Sequence, residues 1–464
     1  MLVAGVDSST QSVKVLLCRA EDGTEVARAA APHPDGTSVD PRRWWDALQT
    51  VRDLLERADA VAVAAQQHGM VALDETGAPV RDALLWNDTR SAPQARALVA
   101  GHGGPEAWAD AVGSVPLAAF TVGKLRWLAE HEPERARRVA TVLLPHDYLT
   151  LRLGADAPVT DRGDASGTGY WSPATGEYRD DLLRAALGHA PAVPRVAAPG
   201  ERVGTTPWGA ALAPGTGDNM GAALGLGLRP GDVAVSIGTS GTAYAVAETP
   251  AADASGLVAG FADATGRYLP LVCTLNAARV LTSAAALTGV AVDDLARLAL
   301  TAAPGADGLT FLPYLDGERT PDRPEASGVL TGLTTRNATP ANLARAAVEA
   351  LLCSLADAVG HLAAQGVRPR RVLLIGGGAA NAAVRALAPA FFGRPVTVPR
   401  PDEYVARGAA RQAAWALRGT PGPPDWPDPP ATEHTADPAT ARDARARYAA
   451  LRDAAPALPQ KGTP

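Results

Sequence analysis

Lysine is nearly absent from this chain. Of 43 basic residues only Lys14, Lys124 and Lys461 are lysine, and the formal net charge is −6. Such a balance lacks the concentrated positive surface that nucleic acid requires, and it has no basic block for an anionic membrane. Cysteine is as scarce: Cys18, Cys273 and Cys353 lie far apart, which excludes a disulfide framework and a cysteine-based zinc site. No uninterrupted apolar run reaches the ~18 residues of a membrane span, and the N-terminal run meets an acid at Asp7, too early for a signal peptide. No Gly-x-x-x-x-Gly-Lys-Ser/Thr loop is present, no Gly-x-Ser-x-Gly follows a strand, and no His/Asp/Glu spacing has the form of a metal site. These absences predict a soluble cytoplasmic protein without nucleic-acid or membrane partners.

What is present is an ordinary globular composition, 47% apolar and 20% charged over 464 residues, enough for two large domains or three smaller ones. Residues 2–6 form an apolar run ending in Asp7, followed by the polar turn Ser8-Ser9-Thr10-Gln11-Ser12 and a second β-rich run, Val13 to Leu17. Glu25 to Ala31 reads as a third strand. From Pro41, the spacing of Trp44, Trp45, Leu48, Val51, Leu54 and Leu55 predicts a helix, and Val61 to Ala65 a buried strand stopping at Gln66. A hairpin that feeds a parallel strand through a helix makes a mixed sheet of the α/β class.

The layout recurs. Val233 to Ser236, the turn Gly238-Thr239-Ser240-Gly241 and Ala243 to Val246 repeat strand, small polar turn, strand. A period of roughly 230 residues implies two similar halves rather than a solenoid. A further strand, Val372 to Ile375, runs into Gly376-Gly377-Gly378 and a helix from about Asn381. Residues 190–217 are rich in Pro and Gly, as a linker or irregular crossing would be, and the chain turns Pro-rich beyond Gly419.

Short turns that expose backbone N–H groups and hydroxyls suit phosphate oxygens. Singly, each of these three turns reads as hairpin chemistry; their joint occurrence in a duplicated frame favours phosphate. Asp7, directly before the first turn, could reach a Mg²⁺ on bound phosphates or merely initiate its own loop. Lys14 offers an ammonium beside that turn. Asp218, between glycines and ahead of a helical Ala/Leu run, reads equally as a general base for a substrate hydroxyl or as a helix N-cap. His68 and Trp86-Asn87-Asp88 follow strands as polar loop tips of the kind a polyol pocket uses.

The motifs together resemble the FGGY carbohydrate kinases of the actin/hexokinase/Hsp70 superfamily, and among them the xylulokinases. The matching stretches include Gly5 to Lys14, Gln66-Gln67-His68-Gly69, Leu85 to Arg90, Leu144 to Leu149, Asp161 to Thr168, Gly217-Asp218-Asn219, Ser236 to Gly241, Phe311 to Pro321, Leu374 to Ala379 and Arg407 to Ala410. They span nearly all of the chain up to about residue 420. The resemblance implies two actin-like (ribonuclease H-like) α/β domains with mixed sheets flanked by helices and a cleft between them. It divides the chain into a sugar-binding domain over 1–228, a nucleotide-binding domain over 229–420, and a peripheral Pro-rich tail over 421–464.

The resemblance further implies ATP-dependent phosphorylation of D-xylulose, with another ketose or polyol (ribulose, gluconate, an alditol) or a non-catalytic actin-like ATPase as the alternatives. It gives Asp218 the part of catalytic base and Asp7 that of holding Mg²⁺. Thr10, Gln11, Ser12 and Lys14 match the first phosphate loop, Thr239 the second, and Gly377 and Asn381 the adenosine segment. Gln67, His68, Asn87, Asp88 and Phe120 match the sugar pocket, which Asp218 also faces. ATP, Mg²⁺ and a sugar are the implied partners, and a homodimer is left open. Three positions depart from the family pattern: Ser9 stands in place of a usual glycine, Gln67 in place of a frequent methionine, and Ala278 to Ala286 lacks a common Trp.

Overall fold

The structure is a computed structural model that describes residues 1–454. In chain order its principal strands are β1 (Leu2–Ser8), β2 (Ser12–Arg19), β3 (Glu25–Pro32), β4 (Ala60–Ala65), β5 (Gly204–Thr205), β6 (Ala211–Leu212) and β7 (Thr216–Gly217). They continue as β8 (Asp232–Ile237), β9 (Gly241–Ala245), β10 (Tyr268–Thr274), β11 (Arg371–Ile375), β12 (Val396–Pro399) and β13 (Ala431–His434). The helices that matter below are α1 (Thr121–His131), α2 (Pro145–Leu153), α3 (Asp218–Gly225), α4 (Pro340–Ala364), α5 (Ala382–Phe392) and α6 (Tyr404–Arg418).

The chain forms two compact units. Among the described residues, one comprises 1–228, 246–270 and 402–428; the other comprises 229–245, 271–401 and 429–454. In the first, the sheet runs β5-β6-β4-β1-β2-β3, with β7 also on β4; β1 to β3 are antiparallel, while β4 is parallel to β1, β6 and β7. The second repeats this frame: β10, β9 and β8 are antiparallel, and β11 and β12 follow in parallel before β13 closes the edge antiparallel. Two mixed α/β sheets flanked by helices are thus the architecture.

Side-chain size along β4 decides what packs on each face of the first sheet. In Ala-Val-Ala-Val-Ala-Ala, Val61 and Val63 join Val13, Val15, Leu17, Trp44, Leu48 and Leu149 in one core. Ala60, Ala62 and Ala64 turn to the other face, with Leu16 and Cys18, as the two-residue period of a strand requires. A face of alanines lets a helix come close. That helix is α6, whose Ala406, Ala409, Ala410, Ala413 and Ala414 complete the layer. Where α6 meets α3, a Cβ on Gly408 would overlap the carbonyl oxygen of Gly221, so only glycine permits the crossing.

The compact units are not contiguous stretches of the chain. Residues 402–420, read from the sequence as part of a second domain, lie in the first unit because their alanine face fits β1, β4 and α3. The tail expected to be peripheral is divided as well. Trp426 is buried in the first unit, its Nε1 donating to the carbonyl of Ala20 at 3.1 Å. β13 adds an edge strand to the second unit, and Ala444 and Tyr448 are buried on the last helix, Arg442–Ala454. Residues 455–464 of that tail lie outside the described residues. The helix expected from Pro41 to Leu55 is two, Arg42–Gln49 and Arg52–Leu55. Residues 190–217 are irregular but supply the short strands β5, β6 and β7. Helix α4 is long and apolar enough to cross a membrane by length and composition, but it is mostly buried as the core helix of the second unit.

Candidate active site

Ligands of α/β sheets bind beyond the carboxyl ends of parallel strands. In the first unit three such ends lie side by side: Ser8 and Gly217 each pair with Ala65, from neighbouring strands on either side of β4. Asp7, Gln67, His68 and Asp218 are therefore delivered to one region by β1, β4 and β7.

Asp7 is buried, 5% exposed, opposite Lys14 in the β1–β2 ladder. Among the described residues its Oδ1 has no hydrogen-bond partner. Burial pushes its pKa up to about 7; Lys14 opposes the rise and Glu403 adds to it. The Nζ of Lys14 donates to Glu403 Oε2 at 2.7 Å. The turn between β1 and β2 is closed by Ser9 N and Oγ donating to the carbonyl of Ser12 at 3.0 and 2.9 Å. Ser9 is not among the described non-glycine residues with positive φ, so the turn has no need of glycine there. Thr10 Oγ1 accepts from Trp86 Nε1 at 2.9 Å and lies 3.5 Å from Gln66 Oε1. Gln11 accepts the N–H of His33, and partly buried Ser12 opens β2.

Asp218 opens α3, but the N-cap is Gly217, and no side-chain cap is made. Its Oδ1 instead accepts Asn219 N at 2.8 Å and Asn219 Nδ2 at 3.0 Å. The same Asn219 Nδ2 donates to Gln67 Oε1 at 2.9 Å. Gln67, Asn219 and Asp218 thus form one hydrogen-bonded chain, and the buried Gln67 Nε2 has no partner among the described residues. Desolvation, helped by the charge of Asp7, pushes the Asp218 pKa up to about 7, against the bonds from Asn219. A carboxylate balanced near neutrality can take a proton from a hydroxyl and give it up again.

His68 has φ +66, in the left-handed region that costs a non-glycine residue about 1–3 kcal/mol. Its Nδ1 lies 2.6 Å from the carbonyl oxygen of Gly167. A carbonyl only accepts, so Nδ1 carries a proton, and in the neutral ring Nε2 is then the acceptor. A Cβ on Gly167 would sit 2.8 Å from that ring nitrogen, which is why glycine stands there. Phe120 and Phe261 flank the imidazole at centroid distances of 4.8 and 5.6 Å.

The other pocket candidates divide. Asn87 is exposed. Asp88 is 3% exposed and already occupied: Oδ2 accepts Thr37 Oγ1 from a distant loop at 2.8 Å, and Oδ1 accepts Arg90 N and Nε at 3.0 and 2.8 Å. Burial would raise its carboxyl, but the bonds from Arg90 and Thr37 prevail and hold it below the usual range.

Behind the β7 end lies a wholly buried group. His146 Nδ1 donates to Asp164 Oδ2 at 2.8 Å, and its Nε2 is 3.1 Å from Asp147 Oδ1. Asp161 accepts Thr216 Oγ1 at 2.8 Å and caps the turn 163–164. Burial alone would depress the imidazole, yet the carboxylates of Asp147, Asp164 and Asp161 prevail and push it up to about 9.

In the second unit, Ser236 and Ile375 pair at the ends of parallel β8 and β11, so the turn holding Thr239 and the glycine turn after β11 are neighbours. The carbonyls of Gly238 and Thr239 accept Ala278 N and Ala277 N at 2.8 and 3.2 Å. Gly377 opens a 3₁₀ turn with space above its Cα. Asn381 is the N-cap of α5, its Oδ1 accepting Ala383 N and Val384 N at 3.0 and 3.1 Å.

Among the described residues no cluster of three or more His, Cys, Asp and Glu side chains could hold a metal by itself. A single orphaned carboxylate oxygen, as on Asp7, suits Mg²⁺, which takes one or two carboxylates and completes its shell with phosphate and water. Sequence reasoning did not select Asn219, Phe261, Glu403, Thr121 or Lys124. Only Asn219 carried a signal, as the neighbour of Asp218.

Residues 2–225 match the N-terminal domain, and 233–417 the C-terminal domain, of the FGGY family of carbohydrate kinases. The chain is 50% identical over 436 residues to a xylulose kinase of Streptomyces coelicolor, covering 90% of this chain and 88% of that one. It is 49% identical over 436 residues to a xylulose kinase of Streptomyces rubiginosus, with the same coverage. A crystal structure of xylulose kinase from Bifidobacterium adolescentis superposes with a TM-score of 0.91 at 45% identity, covering 97% of this chain and 99% of that one.

Proposed function

The chain belongs to the FGGY family of carbohydrate kinases, and on that premise we propose that it transfers the terminal phosphoryl group of ATP to D-xylulose, giving D-xylulose 5-phosphate and ADP. The observation that carries the reading is the hydrogen-bonded chain Gln67–Asn219–Asp218, which puts a carboxylate with pKa about 7 beside an amide whose Nε2 has no partner among the described residues. An amide donor beside a proton acceptor is what a polyol hydroxyl needs to be bound and activated. Relatives named xylulose kinase at about half identity over most of their length support the choice of sugar.

The proposed step is a single displacement. As the terminal hydroxyl oxygen forms its bond to the γ-phosphorus, the bond from that phosphorus to the β–γ bridging oxygen breaks. ADP departs and the hydroxyl proton passes to Asp218. Gln67 and His68, with Asn87 and Phe120, bind and orient the sugar; the His68 Nε2 accepts from a hydroxyl, and Phe120 supplies the apolar wall. Asp88 serves by holding its loop through Thr37 and Arg90. Thr10, Gln11, Ser12 and Lys14 in the first unit, and Thr239 in the second, are assigned to phosphate. Gly377, open above its Cα, and Asn381 are assigned to the adenosine. Asp7 would hold Mg²⁺, which when bound neutralises charge on the phosphates. The enzyme is read as cytoplasmic, the compartment of its nucleotide.

The test is a coupled ADP-release assay over D-xylulose, ribulose, gluconate and alditols. The highest kcat/KM is expected for D-xylulose. A higher value for another polyol replaces the sugar, and ADP release that ignores every sugar removes the kinase reading.

A further inference from the structure

We infer that Lys124, together with Thr121, is a positioning residue for the sugar site, fixing the left-handed backbone of His68 that aims its ring. The inference rests on the proposed role of His68 in binding sugar.

Lys124 is one of three lysines in the chain, and it is 0% exposed. Burying an amine is costly unless it is well hydrogen-bonded. Its Nζ donates to the carbonyl oxygen of His68 at 2.9 Å and also to that of Ala119. Thr121 Oγ1, equally buried, donates to the same His68 oxygen at 3.1 Å. Phe120, the N-cap of α1, packs against the imidazole. Residues 120, 121 and 124 share the first turn of α1, where side chains three and four apart lie on one face. One helical turn therefore grips both ends of His68: its ring through Phe120, its main chain through Thr121 and Lys124.

The grip closes on itself. Val122 N donates to the carbonyl of Thr168 at 2.9 Å, and the adjacent carbonyl of Gly167 accepts the His68 Nδ1–H at 2.6 Å. From His68 the path runs through α1 to residues 167–168 and returns to the His68 ring. Such a loop over-determines the residue, as a non-glycine backbone held at φ +66 requires. Asp7 lies on β1 and Asp218 opens α3, and neither is hydrogen-bonded to α1. Loosening the loop should thus reduce the fraction of protein in the sugar-competent conformation and leave nucleotide use alone.

Three variants test this: Lys124→Met, which keeps the length of the side chain and removes the donors; Thr121→Val, which removes the hydroxyl; and Thr121→Ser, which restores it. With Lys124→Met the KM for D-xylulose should rise on the order of 10- to 100-fold, the range expected when relief of the strained backbone depletes the competent state. KM for ATP should stay within about twofold, because no donor of α1 is assigned to phosphate. Thr121→Val should shift the sugar KM in the same direction and Thr121→Ser should return it; this pair carries the test if Lys124→Met does not fold. In ¹⁵N-histidine spectra the wild-type His68 should show a protected Nδ1–H that is lost in Lys124→Met and Thr121→Val. If the wild-type protein phosphorylates no D-xylulose, the function proposed above falls, and the imidazole signal still decides this inference. Unchanged sugar KM and an unchanged His68 signal in the folded variants overturn it.

Discussion

Asp7, next to the end of β1, and Asp218, directly after β7, lie on opposite sides of β4, and the charge of Asp7 helps burial raise the pKa of Asp218 to about 7. The two carboxyls are chemically coupled although they are assigned different tasks: one is to hold a cation, the other to accept a proton.

That coupling sets the pH profile. A base must be deprotonated to work, so kcat/KM for the sugar should fall as pH drops below about 7, the value for Asp218 in the free enzyme. A cation at Asp7 offsets the charge that raises Asp218, so raising Mg²⁺ should move this acid limb to lower pH. Rate profiles at limiting sugar and two Mg²⁺ concentrations check the sign; a limb that moves upward with Mg²⁺ contradicts it.

Replacing Asp218 by Asn separates the base from a structural acid. The amide keeps the shape and can still accept from Asn219, but it cannot take the proton. We expect kcat to drop on the order of 10²–10⁴-fold, the usual worth of a positioned base, with ATP binding by calorimetry unchanged. Since the N-cap of α3 is Gly217, the fold should be indifferent to the change. Near-wild-type kcat in the folded variant would falsify the assignment.

Lys14 is paired with Glu403 across a gap of 389 positions in sequence. Both side chains are about one-third exposed, so the pair adds little to stability. Lys14→Ala should therefore leave the melting temperature nearly unchanged and raise the KM for MgATP more than that for sugar. It also removes the charge that lowers Asp7, so Asp7 should titrate higher and the loss should grow toward acid pH. A KM rise confined to sugar would argue against a phosphate role.

Folding stability should decline with rising pH through the buried His146 group. His146 is held at about 9 against 6.5 for the free side chain, so its contribution is fully present below pH 6.5 and lost as pH rises through 9. Asp147, raised to about 7, and Asp164, raised to about 6, act in the same sense from pH 3.8 upward. Urea midpoints from pH 6.5 to 9.5 should fall in the wild type and fall less steeply in His146→Gln.

Two glycines should respond in opposite ways. Gly408→Ala drives a Cβ into the Gly221 carbonyl, and overpacking of this kind costs about 1–3 kcal/mol. Because α3 begins at Asp218, kcat should fall along with the melting temperature. Gly360, exposed on α4 with nothing within 4 Å of an added Cβ, should gain about 0.5–1 kcal/mol on change to Ala from helix propensity alone. Thermal melts of the two variants side by side decide it.

Much of this frame was legible in residues 1–66, where apolar runs and small polar turns specify each strand locally. The β1–β2 hairpin, β4 and the turn after β11 lie where those patterns put them. The destination of α6 was not legible. An alanine-rich helix names no partner, and its place follows from glycines of α3 nearly two hundred positions away and from Gly5 of β1 about four hundred away. The bond that Thr37 donates to Asp88 is likewise a contact between distant loops; a carboxylate seen in sequence does not reveal which donors already occupy it. Phe261 reaches His68 from a segment that carries no motif at all.

The dependence of β1 on α6 has a consequence for the making of the protein. A Cβ at Gly5 would overlap the carbonyl of Ala406, so the first strand and a helix near the end are fitted tightly together. A ribosome working at roughly 5–20 residues per second delivers the first long before the second. Throughout that interval the alanine face of β1, β2 and β4 is left without its cover, an open sheet surface on a nascent chain. Truncation anywhere before residue 402 would leave it so permanently. The first unit is thus complete only once residues 402–428 have joined it.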